Sequence, residues 1–274
     1  MAKDHYRSMF SLDDRVAVVT GACGLLGKRF TAALAEFGAR VVCVDLDAVA
    51  VGEWSEELAD RYECATLGVP CDISDPLAVR RMLGDISAFG PPRILVNNAA
   101  TKTDDLSAFL APVEAYDIEV WRRVNAVNLD GAFLVAQAIG QAMANHGLGG
   151  SIVQIASIYG VMGPDNRIYA GSSYNGQPIS TPPVYAASKA GLIGLSRYLA
   201  TTWAEKGIRV NTLIPGGIES GQNRDFVDLY SARVPLQRMA KPDEMAGALL
   251  FLASDASSYV TGQDLAVDGG LSAW

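Results

Sequence analysis

Arg15-Val-Ala-Val-Val-Thr-Gly-Ala-Cys-Gly-Leu-Leu-Gly27 opens with a short β-branched run and then breaks at glycines 21, 24 and 27. Phe30, Ala33, Leu34 and Phe37 recur beyond it at helical spacing, up to Gly38. The order is strand, glycine turn, helix. Such a turn lets the backbone approach a pyrophosphate closely, and the helix N-terminus behind it offers unpaired N–H groups and a positive dipole end. The next run, Arg40-Val-Val-Cys-Val-Asp45, reads as a second buried strand ending in a carboxylate. It lies about two dozen residues past Gly21, where a dinucleotide fold places the acid that accepts hydrogen bonds from the adenosine ribose. Asp45 would repel a 2′-phosphate, and neither Leu46 nor residues 22–24 supply a cation to hold one.

The same alternation continues along the chain. Helical spacing over 48–62 leads to a third strand near 64–70 and to Asp72, just past its end. Asp75, a good N-cap, and Pro76 at the first helical position start a helix that runs to about residue 89. A fourth strand enters Asn97-Asn98-Ala99, and a long helical pattern spans 117–146 with Asn128 and Gly131 interrupting it. The fifth strand, 149–156, delivers Ser157 at its carboxyl end. Residues 158–183 lack periodicity and are rich in Gly, Pro, Ser, Asn and Tyr, the composition of a functional loop. A helix through Tyr185 follows, then a sixth strand at 208–215, a polar stretch to Met239, a helix over 242–254 and a last strand within 262–270. Strands alternating with helices imply parallel pairing with right-handed crossovers. With no internal repeat or linker, the reading is a tail at 1–13 and one α/β domain over 14–274.

Composition narrows the function classes. A formal charge of −8 without a basic patch argues against nucleic acid and anionic membrane as partners. The N-terminus has no signal-peptide core, which points to a soluble cytoplasmic protein. Four cysteines without a Cys-x-x-Cys pair read as reduced thiols, and two histidines give a metal centre little to build on.

The chemistry centres on Pro183-Val-Tyr-Ala-Ala-Ser-Lys-Ala-Gly-Leu192. Tyr185 and Lys189, four apart, share one helix face. An ammonium beside a phenol favours the phenolate and lowers its pKa toward the range useful for acid/base catalysis.

Thr20-Gly21…Gly27, Asp45, Asp72, Asn97-Asn98-Ala99, Asn128, Ser157, Tyr185…Lys189 and Pro215-Gly216, taken in order, resemble the short-chain dehydrogenase/reductase family in its compact single-domain branch, over residues 14–270. The resemblance implies a Rossmann-type, doubly wound, seven-stranded parallel sheet with NAD(P) across its carboxyl edge. The cofactor residues it implies are Thr20, Gly21, Gly24, Leu26, Gly27, Asp45, Asp72, Ile73, Asn98, Ala99, Tyr185, Lys189, Pro215, Gly216 and Ile218. Tyr185 would exchange the proton with the substrate oxygen, while Lys189 lowers the Tyr185 pKa and holds the nicotinamide ribose. Ser157 would bond the substrate oxygen, and Asn128 would position a water relaying protons to Lys189. The expected protein is an oxidoreductase of secondary alcohols and ketones that prefers NAD to NADP. It is expected to assemble as a homo-oligomer, a tetramer above all, through the 117–146 and Tyr185 helices.

Three departures from the family pattern matter, the smallest being Ala100 where Asn-Asn-Ala-Gly is usual. Glycine stands at 24 and leucine at 25, where the compact branch has its second glycine, and this spacing looks like the branch that works on nucleotide sugars. Ser157 and Tyr185 are 28 residues apart, about twice the usual separation, so the loop at 161–183 carries an insertion. Its Asp165, Asn166, Arg167, Tyr169, Ser172, Ser173, Tyr174, Asn175 and Gln177 suit a polyhydroxylated or anionic ligand. Arg167 is the expected anion clamp, and Tyr159 and Tyr169 are expected to touch the substrate. The Ser-Ile-Tyr-Gly plus insertion pattern looks like dehydrogenases of bacterial surface-sugar pathways, including flagellin-modifying ones, so the expected substrate is a sugar or sugar-derived acid. Two other readings use the same fold: a non-catalytic NAD-binding sensor or scaffold, and a sugar-nucleotide epimerase or dehydratase.

Overall fold

The computed structural model describes residues 5–274, so the first four residues of the expected tail lie outside it. Seven strands form one sheet: β1 (Val16–Thr20), β2 (Arg40–Asp45), β3 (Thr66–Pro70), β4 (Pro92–Asn97), β5 (Gly150–Ile155), β6 (Ile208–Pro215) and β7 (Asp264–Val267). All pairs are parallel, in the order β3-β2-β1-β4-β5-β6-β7. The central strands are unbroken apolar runs because both of their faces are covered; every residue of β1 is buried.

The covering helices are α1 (Leu25–Glu36), α2 (Ala48–Tyr62), α3 (Pro76–Phe89), α4 (Ile118–Asn125), α5 (Ala132–His146), α6 (Pro183–Trp203), α7 (Arg224–Ser231) and α8 (Ala246–Ala253). One core joins α1, α2 and α8 to the sheet through Phe30, Leu34, Leu58 and Leu249. The other joins α3, α5 and α6 through Met82, Ile86, Ile139 and Leu199. Asp75 acts as read, accepting from Leu77 N with Pro76 at the first helical position, and Asp47 caps α2 by accepting from the N–H groups of Val49 and Ala50. The strand order reverses between β1 and β4, which opens a crevice at the carboxyl edge.

Three features differ from the sequence reading. The long helix is two α-segments joined by one π-turn at Ala126–Gly131, and a Cβ on Gly131 would come within 2.8 Å of Ile73. Helix α7 lies in the stretch read only as polar, and Asn223 caps it by accepting from Phe226 N at 2.8 Å. The insertion holds a two-residue antiparallel hairpin, Ser173–Tyr174 with Gln177–Pro178, turning on Asn175 and Gly176 with φ of 50° and 74°. Among the described residues, no helix is long and apolar enough to cross a membrane.

Candidate active site

The carboxyl ends of the strands surround a cleft of about 730 Å³. At one end stands the glycine turn. Gly21 has φ of +64°, and a Cβ there would come within 2.8 Å of the Ala99 backbone. A Cβ on Gly27 would collide with the Gly21 carbonyl, so α1 can pack onto the turn only through a glycine. Gly24 is the extended N-cap of α1, and Gly24, Leu25 and Leu26 all line the cleft. The helix N-terminus therefore opens onto the cleft although leucine stands at 25.

Side chains brace the turn from beneath. Thr20 Oγ1 accepts from the N–H groups of Asn98 and Ala99, both at 3.1 Å. Asn98 Nδ2 donates in return to the carbonyls of Thr20 and Gly21, at 3.0 Å each. Asp45 accepts from Cys23 N through Oδ2 and from Leu46 N through Oδ1, both at 2.8 Å. Each oxygen keeps a further lone pair for a ribose hydroxyl. Asp72 forms a turn, its Oδ1 accepting from the backbone N–H and hydroxyl of Ser74. All the residues expected at the cofactor line the cleft except Thr20 and Gly27, which support it from behind. Cys71, Thr101, Val127, Ile155 and Ala156 also line it; they sit in apolar runs or loops and carried no signal in the sequence.

At the other end, β5 delivers Ser157 and the first turn of α6 delivers Tyr185. Ser157 accepts from Tyr159 N at 3.3 Å, which fixes its side chain at the turn after β5. Tyr185 is half-buried, and desolvation by its tight surroundings holds its phenol above the ordinary pKa, with a hydrogen bond to Ser157 pulling the other way. Lys189 is only 3% exposed, and its Nζ donates to the Ile155 carbonyl at 2.8 Å. Burial pulls its pKa down to about 8. Lys189 Nζ sits 5.9 Å from the phenol ring centroid, and burial penalises the charged form of both groups. Asn128, in the π-turn and fully buried, accepts from Thr101 N at 2.8 Å, while its Nδ2 has no protein partner. It lies behind the cleft wall, to which its neighbours Val127 and Thr101 contribute.

The insertion places its side chains differently from expectation. Arg167 is not a clamp in the cleft: its side chain is 89% exposed, it pairs with Asp165 at 2.7 Å, and it lines a separate depression beside Arg233 and Trp274. Asp165 also pairs with Arg233, beyond the end of α7. Tyr159 and Tyr169 do not line the cleft either. Tyr159 faces a cavity of about 10 Å³ shared with Tyr230 and Arg233. The Tyr169 hydroxyl bonds that of Thr181 at 3.0 Å, and its phenol stands close enough to Tyr185 to raise the pKa there. Tyr230 accepts from Gly217 N at 2.6 Å, with burial pushing its own pKa up to about 12. These phenols form the wall behind Tyr185.

Comparison with known proteins supplies the context for this geometry. A family model described as short chain dehydrogenase matches residues 15–229. The chain is 37% identical over 270 residues to D-threitol dehydrogenase of Mycolicibacterium smegmatis, covering 95% of this chain and 94% of that one. It is 36% identical over 275 residues to galactitol 2-dehydrogenase (L-tagatose-forming) of Cereibacter sphaeroides, covering 98% and 99%. Among solved structures, a gluconate 5-dehydrogenase from Burkholderia cenocepacia in complex with NADP and tartrate superposes with a TM-score of 0.87 at 32% identity, covering 98% of this chain and 100% of that chain.

Proposed function

This chain belongs to the short-chain dehydrogenase family, and from that premise we propose that it is an NAD-dependent dehydrogenase that oxidises a secondary hydroxyl of an acyclic polyol or sugar-derived acid, or reduces the matching ketone. The observation that carries the reading is the convergence of the Ser157 hydroxyl and the Tyr185 phenol on one end of a cleft whose other end is a glycine turn facing a carboxylate. The polyol class is supported by the named activities of the relatives.

The residues present fit a dinucleotide. Gly21 and Gly27 leave room for close approach, α1 points its N-terminus at the cleft, and Asp45 ends β2 with both oxygens oriented by backbone N–H groups. Bound there, a nicotinamide supplies the hydride acceptor. Ser157 donates to the substrate oxygen, and Tyr185 takes the hydroxyl proton in oxidation and returns it in reduction. Lys189, anchored on Ile155, fixes the floor beneath them and reaches toward the ribose. Asn128 holds the 101 backbone and directs its spare Nδ2 to a relaying water.

NAD is favoured because Asp45 carries negative charge where a 2′-phosphate would lie and Leu46 is an exposed hydrocarbon. The insertion at 161–183, tied to α7, serves as the flap over the substrate end. The chain assembles as a tetramer through the outer faces of α4, α5 and α6, where Ile118, Phe133 and Tyr198 are exposed. We place it in the cytoplasm, in keeping with its free cysteines. A panel of alditols, sugar acids, steroids and acyl thioesters followed by NADH absorbance tests the reading. Activity on alditols or sugar acids is expected, and activity confined to steroids or thioesters overturns it. Light scattering showing a monomer at micromolar concentration overturns the assembly.

A further inference from the structure

Four polar side chains stand in one register row across the sheet: Asn97 on β4, Gln154 on β5, Thr212 on β6 and Asp264 on β7, each matched with the next. Residues matched in register on parallel strands project to the same face. Here it is the face under α5 and α6, since Asn97 Nδ2 donates to the Ala132 carbonyl at 2.7 Å and Asp264 Oδ2 accepts from Arg197 of α6. Gln154 and Thr212 are wholly buried. Yet Asn97 Oδ1, both amide atoms of Gln154, Thr212 Oγ1 and Asp264 Oδ1 have no protein hydrogen-bond partner. Buried polar atoms in folded proteins are nearly always paired, and an unmet one is costly. Five of them gathered in one row amount to a lining. Alternating donors and acceptors of this kind suit a short file of ordered water.

We propose that this row is a hydrated passage carrying protons between the interior, at Lys189, and solvent, at Asp264. The proposal rests on the reading that Tyr185 and Lys189 handle the proton. Lys189 Nζ donates to the carbonyl of Ile155, the residue next to Gln154, so the row begins beside the anchor of the lysine. With strands about 4.8 Å apart, three steps cover roughly 14 Å. The outlet is Asp264, whose side chain is 21% exposed; Oδ2 meets Arg197 while Oδ1 turns inward without a partner. Oxidation of a secondary alcohol gives a ketone, with the hydride passing to the oxidised nicotinamide and the hydroxyl proton to Tyr185. That proton must reach solvent before the next turnover, and reduction draws one in. A route through the sheet serves while substrate and flap fill the mouth of the cleft.

Thr212→Val removes one hydroxyl at nearly constant volume, and Gln154→Met removes the amide; neither residue lines the cleft. Single turnovers with alditol and NAD are followed by NADH absorbance and by a pH indicator. In the wild type, proton release should coincide with NADH formation. In both variants NADH formation should stay within about 2-fold while proton release lags by about 10-fold, and Thr212→Ser should restore coincidence. A high-resolution crystal structure of the cofactor-free protein should show ordered waters bonded to Gln154 and Asp264. Coincident release in Thr212→Val, or a dry row, overturns the proposal. Should Gln154→Met fail to fold, Asp264→Asn at the partly exposed end gives the same readout. If Tyr185→Phe turns over normally, the reading of the site falls; if it is inactive and the row variants show no lag, only the passage falls.

Discussion

The two ends of the cleft are built by different means. At the glycine turn nearly every contact has a main-chain partner: Asp45 takes two backbone N–H groups, Asn98 gives to two carbonyls, and Thr20 takes two N–H groups. At the substrate end the insertion and α7 are joined by side chains. Tyr169, Phe226 and Tyr230 pack ring on ring at 5.3 and 5.9 Å, Asp165 joins Arg167 to Arg233, and Asn223 donates to Ser172. A main-chain scaffold survives most substitutions as long as its few glycines and acids remain. An assembly of side chains changes with each residue. If the insertion closes over the substrate as proposed, specificity among substrates would belong to the second end, while the first holds the cofactor.

The sharpest way to break this division is at the phenol. Tyr185→Phe should lower kcat by at least about 100-fold while leaving NAD affinity, measured by fluorescence titration, and Tm unchanged. Near-normal turnover would remove Tyr185 from the proton transfer. At the scaffold end, Asp45→Ser combined with Leu46→Arg should move the ratio of kcat/KM for NAD over NADP by about 10- to 100-fold toward NADP, since one repelling charge leaves and one attracting charge arrives. A ratio that stays put would mean the carboxylate does not set the preference.

Lys189 sharpens the comparison in a different currency, stability. Its folded pKa is about 8, below the ordinary lysine value, so between about pH 8 and 10.5 the unfolded chain binds the extra proton and stability rises with pH. Below pH 8 the buried ammonium is a full liability. Lys189→Met should accordingly raise the stability of the cofactor-free protein at pH 7 by about 1–3 kcal/mol while abolishing activity, and the gain should shrink toward pH 10. Urea midpoints at the two pH values check it; an equal gain at both would show that burial does not lower the lysine pKa. The smallest effect is expected at the edge of the flap. Asp165→Ala leaves Arg233 unpaired and should raise KM for the polyol several-fold, with kcat within about 2-fold and a stability loss of about 1–2 kcal/mol. An unchanged KM would detach the insertion from substrate binding.

The main-chain end was also the more legible one. β-branched runs, glycines at 21, 24 and 27, and the cap at Asp75 are local signals, and local signals survive in one dimension. The side-chain end was not. Arg167 was expected in the cleft because composition reports what a loop carries and not where it points, and Asp165, two residues earlier, captures it instead. The Asn175-Gly176 turn was a legible hairpin signal that went unread because its strands are two residues long. The spacing of Tyr185 and Lys189 gave their shared helix face but not their enclosure, which burial of both groups now shows. Asn97, Gln154, Thr212 and Asp264 are polar residues far apart in the chain, in or at the ends of apolar runs, and only the pairing register lines them up.

The π-turn at Ala126–Gly131 has a consequence for how this chain tolerates length changes. A π-turn holds one residue more than the α-helix it interrupts, so deleting a single residue there would restore an ordinary helix without breaking it. The helices on either side would keep their faces nearly in phase, because the extra residue is spread over one wide turn. Val120 and Val124 of α4 would stay in the cluster with Phe109 and Val184, whereas Asn128, inside the turn, would lose the Thr101 backbone. Loops usually absorb such deletions; here a helix can absorb one too, at the expense of the position of Asn128.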